Sequence, residues 1–124
     1  MAVSVISRSS GETVQKYTGY SLASGLTATD DSVNVVEICG KICCFSLNFK
    51  SSSDKTFGDE EVLVTGMPIP KGQMVFDACA MNSSNKLIPA RVMVSFDGEI
   101  KNWWSKMKAF ANKTVTIEGI YSLE

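Results

Sequence analysis

LIPARVMVSFDGEIKNWW, residues 87–104, is the stretch whose reading decides the fold class. Ile88, Ala90, Val92, Val94 and Phe96 alternate with Pro89, Arg91, Met93 and Ser95. Two residues per repeat is the period of a strand, and the first set makes one continuous apolar face. Asp97-Gly98 follows at once. An Asp-Gly pair between extended segments favours a tight type I′ turn, because both central residues of that turn take positive φ. Glu99, Ile100 and Lys101 then read as a short return strand, and Asn102, Trp103 and Trp104 as the start of an aromatic loop.

The same period recurs outward in both directions. Upstream, residues 33–39 and 42–50 flank Gly40-Lys41, a Gly-X pair that suits a two-residue type II′ hairpin. In the second arm Cys43, Phe45, Leu47 and Phe49 share the better core face, and Ile42, Cys44, Ser46 and Asn48 the other. Residues 59–65 give a short strand with Val62 and Val64. The segment 66–72, GMPIPKG, breaks regular structure because proline cannot donate to a ladder. Residues 73–81 resume with Met74, Phe76, Ala78 and Ala80 on one face, and 82–86, NSSNK, form a turn. Nearer the start, Ala2 to Ser7 and residues 13–20 are extended candidates, whereas residues 21–32 have the Ser/Thr/Gly/Asp composition of a loop. Downstream, Trp103, Met107 and Phe110 sit at i, i+4 and i+7, which predicts a short helix near 103–110 capped by Asn102. Residues 113–123 alternate again and make a closing strand. The expectation is an all-β chain, an antiparallel β-sandwich of jelly-roll type with seven to nine short strands. Residues 1–32 read as an N-terminal strand and linker region, packed on the domain or joining it to a shaft, and 33–124 as the sandwich itself.

The bulk composition excludes several classes of function. At 124 residues a normal core needs no staples. A net charge of −1 argues against nucleic acid, which would demand a basic stripe. No apolar run approaches the roughly 18 residues of a membrane span, so no membrane insertion is expected, nor does the first segment have the form of a signal peptide. Histidine is absent, which removes the Ser-His, Cys-His and His-metal constellations together. Cys39, Cys43, Cys44 and Cys79 lie mostly in apolar runs and read as reduced, buried thiols rather than a zinc set. No cofactor, metal or catalytic residue is expected.

From about Ile38 onward the chain resembles the C-terminal head or receptor-binding domains of tail-fibre and baseplate proteins from phages and prophages of Gram-positive bacteria. The resemblance lies in four pieces in order: GKICCFSLNF, LVTGMPIPKG, VSFDGEI and VTIEGIYSLE. It implies a β-sandwich, usually a homotrimer, that binds a cell-surface polysaccharide or protein receptor without chemistry, beside other tail proteins in the virion. Such a protein is made in the bacterial cytoplasm. The family has no fixed motif of binding residues, so no position carries over. A structural or assembly subunit of the tail, a host carbohydrate-binding module and a depolymerase are the rival readings, the last weakened by the missing nucleophile motif.

Trp103-Trp104 is the sharpest local feature. Neighbouring side chains point apart, so one ring can be core and the other exposed. An exposed indole can stack on a sugar, with Asp97, Lys101 and Asn102 supplying hydrogen bonds. The competing reading packs both rings inward or into a subunit interface. Asp59, Glu60 and Glu61, with Asp54 and Asp30-Asp31, admit a calcium site or a glycosidase pair, but a solvated edge accounts for them as well. The outer-face residues Ile42, Cys44, Val75 and Cys79 are apolar enough to suggest burial in an oligomer, or beneath a helix or the N-terminal segment.

Overall fold

The structure, a computed structural model, describes residues 13–29 and 33–124. It contains twelve strands: β1 (Val14–Lys16), β2 (Ser21–Leu22), β3 (Leu26–Ala28), β4 (Val35–Cys39), β5 (Ile42–Ser51), β6 (Lys55–Thr56), β7 (Val62–Thr65), β8 (Met74–Met81), β9 (Leu87–Val94), β10 (Ile100–Asn102), β11 (Lys108–Ala109) and β12 (Val115–Ser122). Along β5, Cys43, Phe45, Leu47 and Phe49 are buried as their spacing predicts. Val115, Ile117 and Tyr121 of β12 and Val92 and Val94 of β9 turn to the same core. The rings of Phe45, Phe76 and Tyr121 meet there edge-on or tilted, 5.5–6.4 Å apart.

Ten strands form one antiparallel sheet in the order β1-β4-β5-β12-β8-β9-β10-β7-β2, with β3 also paired to β5. β6 and β11 make a separate two-stranded ribbon. The strands at the two ends of that path, β1 and β2, are separated in the chain by residues 17–20 alone. Lying flat, nine strands would hold them ~38 Å apart at ~4.8 Å per neighbour. Five extended Cα steps reach ~18 Å. The sheet is therefore curled, and its two halves face each other across the core as a sandwich. Tyr17 fastens the closure: its N–H donates to Val36 O at 2.7 Å and its phenol to Gly66 O beyond β7. The segment 21–32, expected as loop, thus supplies β2, which pairs β7, and β3, which pairs β5. Strands of two and three residues are too short to show a period. The candidate strand at Ala2 to Ser7 and the pair Asp30-Asp31 lie outside the described residues.

The β4–β5 hairpin turns on Gly40-Lys41 as expected, with Cys39 opposite Ile42 and Gly40 at φ 58°. The Asp-Gly hairpin forms, but by a different turn. Val94 pairs with Ile100, Ser95 N–H donates to Glu99 O at 2.9 Å, and Gly98 N–H to Ser95 O at 3.0 Å. This leaves three loop residues, with Gly98 at φ 73° and Asp97 outside the positive-φ set. It is a type I turn followed by a left-handed glycine, the three-residue alternative to type I′. Phe96 accordingly leaves the core face and stands exposed.

The helix expected at 103–110 is absent. Trp104 has φ 50°, which no right-handed helix accommodates, and Lys108–Ala109 pair with Lys55–Thr56 as β11 against β6. Met107 is buried as the spacing implied, but it reaches the core from an irregular loop. Asn102 does not cap a helix; its side chain donates to carbonyls instead.

Candidate functional site

Because the strands run antiparallel, the connections collect at two poles. At one pole lie the turns 40–41, 66–73 and 96–98 with Leu123 and Glu124. They are tied by Met67 N–H to Gly98 O at 2.8 Å, Leu123 N–H to Lys41 O at 2.8 Å and Glu124 N–H to Ile69 O at 3.3 Å. Val14 of β1 sits opposite Cys39 at this same pole. The other pole gathers 51–54, 57–61, 82–86 and 103–114. There Glu60 N–H donates to Asn102 O, Phe57 N–H to Met107 O and Asn112 N–H to Ser51 O.

The aromatic pair belongs to this second pole. Trp103 is half-buried and Trp104 is 55% exposed; their rings stand nearly perpendicular, centroids 6.4 Å apart. The loop that carries them is braced from both sides. Arg91, on β9, holds it through its backbone and guanidinium: Trp103 N–H donates to Arg91 O at 2.9 Å, and Arg91 Nη2 to Trp104 O at 3.0 Å. Arg91 N–H in turn donates to Ser105 Oγ at 3.1 Å. Beneath, Asn102 is fully buried. Its Nδ2 donates to Gly58 O at 2.8 Å and Ser105 O at 2.9 Å, with Phe57 O at 3.4 Å, while its Oδ1 accepts from Ser105 Oγ at 2.6 Å. The left-handed backbone at Trp104 is thus over-determined by its neighbours, which is how an indole stays presented to solvent.

Of the five residues expected to line a ligand, the structure brings Trp103, Trp104 and Asn102 together, but Asn102 serves the fold, not a ligand. Its amide is consumed inside the chain. Asp97 lies at the opposite pole, with the whole of β10 between it and the indoles. Lys101 is half-buried on β10, 3.9 Å from Glu99. Arg91 and Ser105 went unnoticed in the sequence, since Arg91 reads simply as an outward strand residue and Ser105 falls inside the expected helix.

Of the acidic run Asp59, Glu60 and Glu61, the last is engaged. Glu61 accepts from Gly58 N–H at 2.9 Å and pairs with Lys55 at 2.8 Å. The Lys55 bond, with the Gly58 N–H, holds its carboxyl below the ordinary range, the wrong direction for a proton donor. Asp54 accepts from Ala111 N–H and faces Lys108 at 3.6 Å. Among the described residues no group of three or more carboxylates or thiols is placed to hold a metal. Burial pushes the Cys43 thiol up to about 11, so it is no nucleophile at neutral pH.

Beside the aromatic loop runs an open cleft of about 300 Å³ between the end of the β8–β9 hairpin and residues 106–110. Ile42, Met74 and Ile120, with Lys71 and Gly72, line a second depression of about 390 Å³. Val75, on the outer sheet face, is 48% exposed. Of the outer-face residues singled out from sequence, Ile42 and Val75 are exposed, Cys79 is half-buried and Cys44 is buried.

No family model matches the chain, and no curated protein matches it. Among solved structures, the crystal structure of the receptor binding protein (gp15) of Listeria phage PSA is similar, with a TM-score of 0.58 and 13% sequence identity. The alignment covers 99% of this chain and 76% of that one. At this identity the likeness is one of fold: the all-β, curled antiparallel architecture is shared.

Proposed function

We propose that the protein is a receptor-binding head of a phage or prophage tail, which recognises a host-surface glycan or receptor without catalysis. The observation that carries this reading is the fold likeness to a phage receptor binding protein over nearly the whole chain. Val14 of β1 lies at the pole of Gly40-Lys41, opposite the pole that carries Trp104. In this reading the head comprises residues 33–124 together with β1–β3, which share its sheet, and the segment before β1 joins it to the tail.

Trp104 is the contact residue of this proposal, stacking its exposed face on the apolar side of a sugar ring, with Trp103 behind it. Each such contact is weak, and a homotrimer on a multi-copy tail multiplies it through effective concentration. The outer face with Ile42, Val75 and Ile120 is the surface that a second copy would cover. That same face also favours the rival reading of an assembly subunit, which would contact only tail proteins. Binding of purified protein to intact host cells tests the choice. Trp104→Ala should lower cell binding by at least tenfold while leaving the melting temperature within about 2 °C, because an exposed ring contributes little to folding. Unchanged cell binding by this variant would remove the glycan site from the proposal.

A further inference from the structure

We propose that the cleft between β9 and residues 106–110 receives an extended acidic polypeptide segment, which adds itself along the open edge of β9. The inference does not depend on Trp104 or on the glycan reading.

The edge is open for a geometric reason. β10 pairs with β9 at Val92, Met93 and Val94 and then ends. The next outward-facing backbone position, Arg91, is closed by Trp103 N–H and Ser105 Oγ. In an antiparallel ladder, alternate residues direct both backbone groups to the same side. Pro89 C=O, Leu87 C=O and Leu87 N–H therefore point the same way as Arg91, and among the described residues no strand meets them there. Leu87 is 62% exposed and Ile88 42%, a large apolar surface to leave in water at the end of a long hairpin.

The cleft under this edge is lined by Ala80, Ile88, Ala90, Met107 and Phe110, with Met107 wholly buried at its base. Such walls suit an aliphatic side chain. The cleft's polar groups, Asn82, Lys106 and Lys108, are too few to partner the many hydroxyls of a sugar seated against those walls. Strand addition meets both requirements: main-chain bonds to Leu87 and Pro89, and an alternate side chain directed into the cleft. Pro89 withholds a donor mid-edge, so a flat strand from a second copy cannot zip along it, whereas a short segment can use the groups that remain. Charge selects the sign of the segment. Lys106 lines the cleft and Lys86 begins the edge, and among the described residues these are the uncompensated charges there. Lys108, also in the lining, is offset by Asp54 at 3.6 Å and lies over the Phe110 ring.

The test uses the intact protein and a fluorescein-labelled, end-blocked heptapeptide, Glu-Val-Glu-Leu-Glu-Val-Glu, followed by anisotropy. Saturable binding below about 1 mM is expected. Lys106→Glu should weaken it about tenfold and should gain affinity for the matching Lys-Val-Lys-Leu-Lys-Val-Lys peptide. Ile88→Asp should abolish binding of both. N-methylation of alternate amides should block binding on one edge of the peptide and spare it on the other. Absence of saturable binding, indifference to N-methylation on both edges, or binding of polygalacturonate with the same dependence on Ile88 and Lys106 would overturn the proposal. The surface position of Lys106 keeps its charge reversal informative if Ile88→Asp fails to fold.

Discussion

Replacing Asn102 with alanine should loosen the pole that carries the indoles, and the cost follows from its bonds. Three contacts of 2.6–2.9 Å disappear, two donated to Gly58 O and Ser105 O and one accepted from Ser105 Oγ. All sit around a side chain with no solvent exposure, so water does not replace them without opening the loop. At about 1 kcal/mol per net bond plus the vacated volume, the loss is about 3–4 kcal/mol. For a domain of this size that lowers the midpoint by roughly 10–15 °C. Urea unfolding followed by tryptophan emission reads both the stability and the wetting of Trp103. Asn102→Asp sharpens the test, because it keeps the acceptor but turns an oxygen toward two carbonyls. A carboxyl there should titrate above its unfolded value. Its stability should then be greatest below about pH 4, the unfolded carboxyl range, and fall as pH rises through the folded pKa. A loss below about 1 kcal/mol for Asn102→Ala, with emission unchanged, would refute the view that this amide organises the loop.

Other consequences can be measured with the same unfolding assay. Gly98→Ala places a Cβ against Met67 O at φ 73° and should cost about 2–4 kcal/mol, whereas Gly25→Ala, at φ 88° with open space around it, should cost nearer 1 kcal/mol. The Cys43 thiol is raised by burial from 9.0 to about 11, so stability should be level below pH 9 and decline as pH rises toward 11. Cys43→Ala should flatten that part of the profile, leaving the decline from Tyr121, whose phenol burial also raises. Ile120→Glu, on the exposed outer face, should lower the mass measured by light scattering if copies associate there; an unchanged multimeric mass would move the interface elsewhere.

What the sequence discloses depends on how many residues share a period. β5 and β12 are eight to ten residues long, and their buried faces are legible from alternation. β9 keeps the period at Ala90, Val92 and Val94 but exposes Ile88 and buries Met93, both against the expectation. β2, β3, β6 and β11 have two or three residues, and their pairing is decided by distant strands. The Trp103, Met107 and Phe110 spacing misled because a loop braced by Arg91 and Asn102 can deliver Met107 to the core as well as a helix can. The Asp-Gly signal located a hairpin correctly but pointed to a type I′ turn, and the extra residue of the actual loop put Phe96 on the surface instead of in the core. The aromatic pair was visible, but its setting was not: Asn102 resembled a polar neighbour of a ligand until its carbonyl partners, from residues more than forty positions away, were in view.

β12 lies between β5 and β8, in the interior of the sheet, yet it is synthesised after every strand it joins. While it is still inside the ribosome, the emerged chain holds two half-sheets whose facing edges have nothing to pair with. Vectorial folding during translation is thus blocked at its last step, and the nascent chain has to wait in an aggregation-exposed state for residues 115–122 to clear the exit tunnel. Truncation inside β12 would leave an unpaired edge on both half-sheets, nearly as damaging as losing half of the domain.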